Sequence, residues 1–148
     1  MLMSLTEPHF LAYHKQATSA RTLFLRMNNG SVMLPEPFPF LSSPLEQGEV
    51  VHDETSTHLD HPATLGQRFS TVLGLPAESV EVETDFRELV EVPGGTVMVY
   101  LARLKAMDPP RAHFAETGAG FCAITELRGG HPVEMNLLRK AYEFILGG

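Results

Sequence analysis

The chain has 148 residues and one cysteine, with 43% apolar and 20% charged residues. That composition predicts one globular domain spanning 1–148, large enough to bury a core without a disulfide or a metal staple. Eighteen acidic residues against eleven basic ones leave a net charge of −7, which argues against nucleic-acid binding because a polyanion is repelled.

The first segment, "MLMSLTEPHFLAYHKQ", lacks a basic region followed by an apolar core, so it does not read as a secretory signal. No window approaches 18 uninterrupted apolar residues, so no membrane span is expected. The expected location is the cytoplasm. Pro8–Ala20, "PHFLAYHKQATSA", reads as a short helix or an irregular lead-in.

Arg21–Met27, "RTLFLRM", is apolar and too short for an ordinary helix, so it predicts a strand. Asn28–Ser31, "NNGS", is a turn sequence, and Val32–Leu34 then reads as the partner strand of a hairpin. Pro35, Pro37 and Pro39 follow within "PEPFPF", which forces an extended path. Phe38 and Phe40 are expected to plug the core or a subunit interface. Residues 41–60 show no clean period. "GEVVH" suggests a short strand there, and the rest reads as a long polar loop.

Pro62–Leu73 predicts a helix about 18 Å long. Asp60 or His61 is a plausible N-cap, and Pro62 suits the first turn. Leu65, Phe69, Val72 and Leu73 fall on one face. Gly74 fits a left-handed C′ position, with Pro76 after it. Val80 and Val82 then alternate, a break precedes Leu89–Val90, and Pro93–Gly95 makes a turn. Thr96–Leu104, "TVMVYLARL", is the strongest strand sequence in the chain. The two strands on either side of that turn predict a second hairpin. "AHFAETGAG" reads as a flexible connection and Phe121–Leu127 as a strand. Val133, Leu137, Leu138, Ala141, Tyr142 and Ile145 predict the apolar face of a closing helix that begins at His131–Pro132, carries Glu134 in its first turn and is stopped by Gly147. The expected fold is therefore α+β, an α/β/α sandwich with a mixed β-sheet flanked by two main helices.

This order of elements resembles the Nudix hydrolase family. "RTLFLRMNNGSVMLP" looks like that family's opening strands, "LGL" at 73–75 like the end of its signature, and "TVMVYLARL" like its central strand. The signature is G-x5-E-x7-R-E-U-x-E-E-x-G-U, with U a bulky apolar residue. With its last glycine on Gly74, the inner apolar position falls on Phe69. The arginine falls on Gln67 and the glutamate beside it on Arg68. The adjacent glutamates fall on Thr71 and Val72, the upstream glutamate on Leu59 and the first glycine on Asp53. The helix frame is kept and the carboxylates that would hold Mg²⁺ against a diphosphate are missing. Arg68 adds a positive charge where a cation would sit.

The resemblance thus implies a degenerate Nudix-like domain without the usual hydrolysis and with no cofactor. It would act as a binding or interaction module and form a homodimer. A nucleotide or another phosphate-containing small molecule is the expected ligand. The N-terminus of the 62–73 helix offers backbone N–H groups to an anion, and His58, His61 and Arg68 are the candidate binding side chains. An alternative is a Mg²⁺- or Mn²⁺-dependent diphosphate hydrolase with a displaced site, built from Glu46, Glu49, Asp53, Glu54 and His58. Glu116 occupies a loop position where some members of the family carry their catalytic base. A second alternative is a protein-protein interaction domain using Phe38, Phe40 and the last helix. Cys122 lies in an apolar run and reads as a buried, inert thiol.

Overall fold

A computed structural model describes residues 7–16, 21–45 and 61–147. The strands are β1 (His9–Lys15), β2 (Thr22–Arg26), β3 (Ser43–Leu45), β4 (Val80–Val82), β5 (Glu88–Val92), β6 (Gly95–Leu104) and β7 (Gly120–Cys122). The α-helices are α1 (Pro62–Leu73), α2 (Arg111–Ala115) and α3 (Pro132–Gly147). The strands form one mixed sheet in the order β3-β5-β6-β1-β2-β7, with β4 also pairing β6. The β1/β6 pair is parallel and the other pairs are antiparallel.

Strand alternation divides the apolar side chains between two cores. Phe10 and Ala12 of β1 and Tyr100, Ala102 and Leu104 of β6 pack with Leu65, Phe69 and Leu73 of α1. Leu11 and Tyr13 of β1 and Val97, Val99 and Leu101 of β6 pack with Val133, Leu137, Leu138, Ala141 and Ile145 of α3. Each helix thus covers one face of the sheet, giving the expected α/β/α sandwich and α+β class. Among the described residues, no helix is long and apolar enough to cross a membrane.

The first correction falls on Pro8–Ala20. His9–Lys15 is neither helix nor lead-in but strand β1, flanked by β2 on one side and β6 on the other. Its residues His9 to His14 are all buried. A strand covered on both faces reads as a continuous apolar run, which lacks the alternation that betrays a half-buried strand.

The 21–34 hairpin is the second correction. The turn exists: Met27 N–H donates to Ser31 O at 2.8 Å, and Gly30 N–H to Met27 O at 2.9 Å. Val32–Leu34 does not pair with β2, because both edges of β2 are already taken by β1 and β7. It crosses to β1 instead, where Phe10 and Leu34 exchange two backbone hydrogen bonds. The "PEPFPF" segment is non-helical, as its prolines require. Phe38 enters the core, but Phe40 is 82% exposed and plugs nothing among the described residues.

α1 runs over the predicted residues. His61 is its N-cap, with Nδ1 accepting from Ala63 N–H at 3.1 Å, and Gly74 closes it at φ 72°. A residue with a Cβ is strained at that φ, which is why glycine ends the helix there. Asp60, the other candidate cap, lies outside the described residues, as does "GEVVH". α3 begins in the same way: His131 Nδ1 accepts from Val133 N–H at 3.1 Å. Gly147 is the last residue of α3 rather than its stop.

The β5–β6 hairpin forms with Val92 opposite Gly95, and β4 and β5 lie along the same edge of β6, separated by the expected break. Phe86 in that break fills the core, and Tyr13 donates to Glu83 Oε2 at 2.5 Å. Burial first, and that carboxylate second, push the Tyr13 phenol above its ordinary value. "AHFAETGAG" is more ordered than a flexible connection. Phe114 is buried edge-on to Phe121, so Arg111–Ala115 turns as helix α2. The 121–127 strand is likewise shorter than expected. Only Gly120–Cys122 pairs with β2, and Ile124–Glu126 coils into a 3₁₀ turn where Glu126 accepts from Ala123 N–H at 2.8 Å. Cys122 is half-buried rather than buried.

His9 ties the proline-rich segment to β1. Its ring stacks on Phe38 with centroids 4.7 Å apart, and Nδ1 donates to Glu7 O at 2.9 Å. Burial lowers its pKa below the ordinary 6.5, against smaller opposing effects of the Glu7 carbonyl and of Glu36. The unfolded chain therefore takes up this proton more readily than the folded one. The contribution of His9 to stability is complete above the ordinary 6.5 and is lost as pH falls through the lower, folded value. Chemical denaturation from neutral to acid pH should show wild type losing up to ~1.4 kcal/mol per pH unit more than His9→Gln in that window. Parallel curves for the two proteins would remove His9 as the cause.

Candidate functional site

The outer face of α1 is set by the same periodicity that buries its inner face. Leu65, Phe69 and Leu73, four residues apart, point into the sheet, so the residues one and two positions before each of them turn toward the other side of the helix. Ala63, Thr64, Gln67, Arg68, Thr71 and Val72 form the described wall of a broad hollow on that side. Val72, expected on the apolar face, is 40% exposed and belongs to this wall. It lies at the edge of the buried stripe, and the inward direction is already filled by Phe69 and Leu73.

A second hollow of about 210 Å³ adjoins it, bounded by Glu7, Pro8, Phe10, Pro35, Arg68, Phe69 and Val72. Arg68 and Val72 belong to both hollows. The guanidinium of Arg68 has no ion pair or hydrogen bond among the described residues, unlike those of Arg103, which pairs with Glu81, and Arg139, which pairs with Glu143. Such a guanidinium presents a planar fork suited to carboxylate or phosphate. Beneath it the helix is held firmly. Phe69 stacks on Phe10 at 4.1 Å and tilts against Tyr100 at 6.0 Å. At the far end, His113 donates Nε2–H to Leu73 O at 2.9 Å, satisfying one of the carbonyls left open at the C-terminus of α1.

Of the predicted binding residues, the structure brings His61 and Arg68 onto the same helix. His61 caps the first turn with its Nδ1, so that atom is engaged with the backbone. His58 and the alternative metal set Glu46, Glu49, Asp53 and Glu54 lie outside the described residues. Among the described residues no group of three His, Cys, Asp or Glu is arranged to hold a metal. Glu116 is the exposed C-cap of α2 and lines neither hollow.

A different carboxylate was hidden in the sequence. Glu134 is only 5% exposed. Its Oε2 accepts from Ser31 Oγ at 2.6 Å and its Oε1 from Val32 N–H at 3.2 Å. With Arg26 and Arg128 it lines a hollow of about 150 Å³ at the N-terminus of α3. Its position was the available signal: Glu134 precedes Leu137 and Leu138 by three and four residues, which places it on the buried stripe of α3 rather than on a solvated one.

Mixed-sheet topology and a helix on each face define an α/β/α sandwich whose first helix carries an open, cationic outer face. No protein-family model and no curated protein matches the chain. Among solved structures, the chain is similar to an Ap4A hydrolase from C. elegans, with 18% sequence identity, a TM-score of 0.49 and coverage of 94% of this chain and 96% of that one.

Proposed function

We propose that the protein is a Nudix-like domain that binds a phosphate-containing small molecule on the outer face of α1 and does not hydrolyse it in the Nudix manner. One observation carries this reading. Gln67, Arg68, Thr71 and Val72, the positions where the Nudix signature would place its arginine and three glutamates, all belong to the wall of the hollow. They offer a fork for an anion and no carboxylate for Mg²⁺. The same helix is capped and docked as a rigid element, which suits a binding surface. Thr64, Gln67 and Thr71 add neutral hydrogen-bonding groups beside the guanidinium. The first-turn N–H groups of α1 contribute further positive potential.

Titration calorimetry with nucleoside mono- and diphosphates, with and without Mg²⁺ or Mn²⁺, tests this reading. Binding should not require the metal, and Arg68→Ala should weaken it by about tenfold, the loss of one charge-assisted hydrogen-bond pair. Metal-dependent cleavage of a diphosphate linkage at ordinary enzyme rates would sink the reading and favour a displaced site at Glu46, Glu49, Asp53, Glu54 and His58.

A further inference from the structure

The hollow on the opposite face of the sheet, at the start of α3, has a chemistry of its own. Three segments distant in sequence build it. β2 ends there with Arg26. Phe24 of that strand packs in the α3-side core, so Arg26, two residues on, shares that side. The 127–130 turn brings Arg128, and Gly129 holds its bend at φ 86°. α3 brings Glu134.

Arg26 and Arg128 are both exposed, and neither guanidinium has an ion pair or hydrogen bond among the described residues. Two guanidinium groups with no partner among the described residues, on one concave surface, stand out in a chain of net charge −7. Glu134 does not neutralise them by contact. Its two oxygens are turned to Ser31 Oγ and Val32 N–H, one hydrogen bond each. A carboxylate oxygen accepts two, so each retains one acceptor position.

The wall therefore combines two forked cations with one anionic acceptor. A fully ionised oxyanion meets the arginines favourably but repels Glu134. An oxyanion that keeps a proton meets all three: its O⁻ atoms accept from the arginines, and its O–H donates to Glu134. The volume of about 150 Å³ accommodates such a group together with waters of ~30 Å³ each. We propose that Arg26, Arg128 and Glu134 form a binding site for a protonated phosphate group, either free phosphate or the head of a monoester. This site is separate from the face of α1 and does not depend on the reading given for that face.

The test is calorimetry on the whole protein near pH ~6, where phosphate groups carry a proton, with inorganic phosphate, glycerol 3-phosphate and sulfate as probes. Heat of binding is preferred to thermal shift, because sulfate and phosphate stabilise proteins nonspecifically. Saturable binding of phosphate or of the monoester, with sulfate weaker by about tenfold, is expected. Binding of only one of the two phosphate probes would identify the source. Arg26→Met and Arg128→Met should each weaken phosphate by about tenfold. Glu134→Gln should bring sulfate and phosphate closer together. If that variant fails to fold, the wild-type discrimination and the two arginine variants decide. Absence of saturable binding, equal affinity for sulfate, or binding unchanged by both arginine substitutions would overturn the site.

Discussion

Replacing Phe69 by alanine should cost ~3–5 kcal/mol of folding stability, among the larger effects of any single truncation in a core. Phe69 is 0% exposed and is the side chain through which α1 grips the sheet. Its ring stacks on Phe10 of β1 at 4.1 Å, with an interplanar angle of 21°, and also meets Tyr100 of β6. β1 and β6 are the parallel pair at the centre of the sheet, so the cavity left by the ring cannot be closed by moving an edge strand. The aromatic contacts add ~0.5–1.5 kcal/mol beyond the area term. Phe69→Leu, which keeps most of the volume, should cost less than half as much. Urea unfolding of the two variants measures both. Equal, small losses of under ~1 kcal/mol would mean that α1 is held by other contacts, such as Leu65, Leu73 and the His113 bond at its C-terminus.

The same helix shows why part of this fold can be read directly from sequence. α1 and α3 are one-sided, so their apolar residues recur with helical spacing, and both announce their start with a His-Pro pair. The β5–β6 hairpin is flanked by a Pro-Gly-Gly turn and reads equally well. β1 is legible only in three dimensions. It lies between β2 and β6 with a helix layer on each face, so nothing in "HFLAYHK" alternates. Val32–Leu34 deceives for a related reason. It follows a genuine turn, but whether it pairs with β2 depends on whether β7, much later in the chain, has taken that edge. The site divides along the same line. Arg68 and its neighbours sit within one helix, so a linear motif aligns them. Arg26, Arg128 and Glu134 meet only because β2, a turn and α3 converge, and no spacing in the chain encodes that.

Glu134→Ala should destabilise the protein by ~3 kcal/mol, although alanine is the better helix former. The side chain is a clamp between α3 and the segment that crosses from β2 to β1. Its loss would leave Ser31 O–H and Val32 N–H buried without an acceptor. Ser31 Oγ itself accepts from Met33 N–H at 3.0 Å, so the Ser31–Met33 segment is pinned through a short chain of hydrogen bonds that ends on this carboxylate. The position in the first turn of α3 adds a favourable interaction of the negative charge with the helix dipole. Glu134→Gln retains one acceptor and should cost ~1–2 kcal/mol. A double-mutant cycle with Ser31→Ala isolates the shared term, because each substitution removes the same hydrogen bond. A coupling near zero would mean that the clamp is not formed in solution. The arginines beside it behave differently. The guanidinium groups of Arg26 and Arg128 are exposed and have no partner among the described residues, so their substitution should leave stability within ~0.5 kcal/mol of wild type. A phosphate affinity that falls in those variants while stability holds then belongs to the site itself, whereas a simple structural role for the cluster would lower stability and leave no affinity to lose.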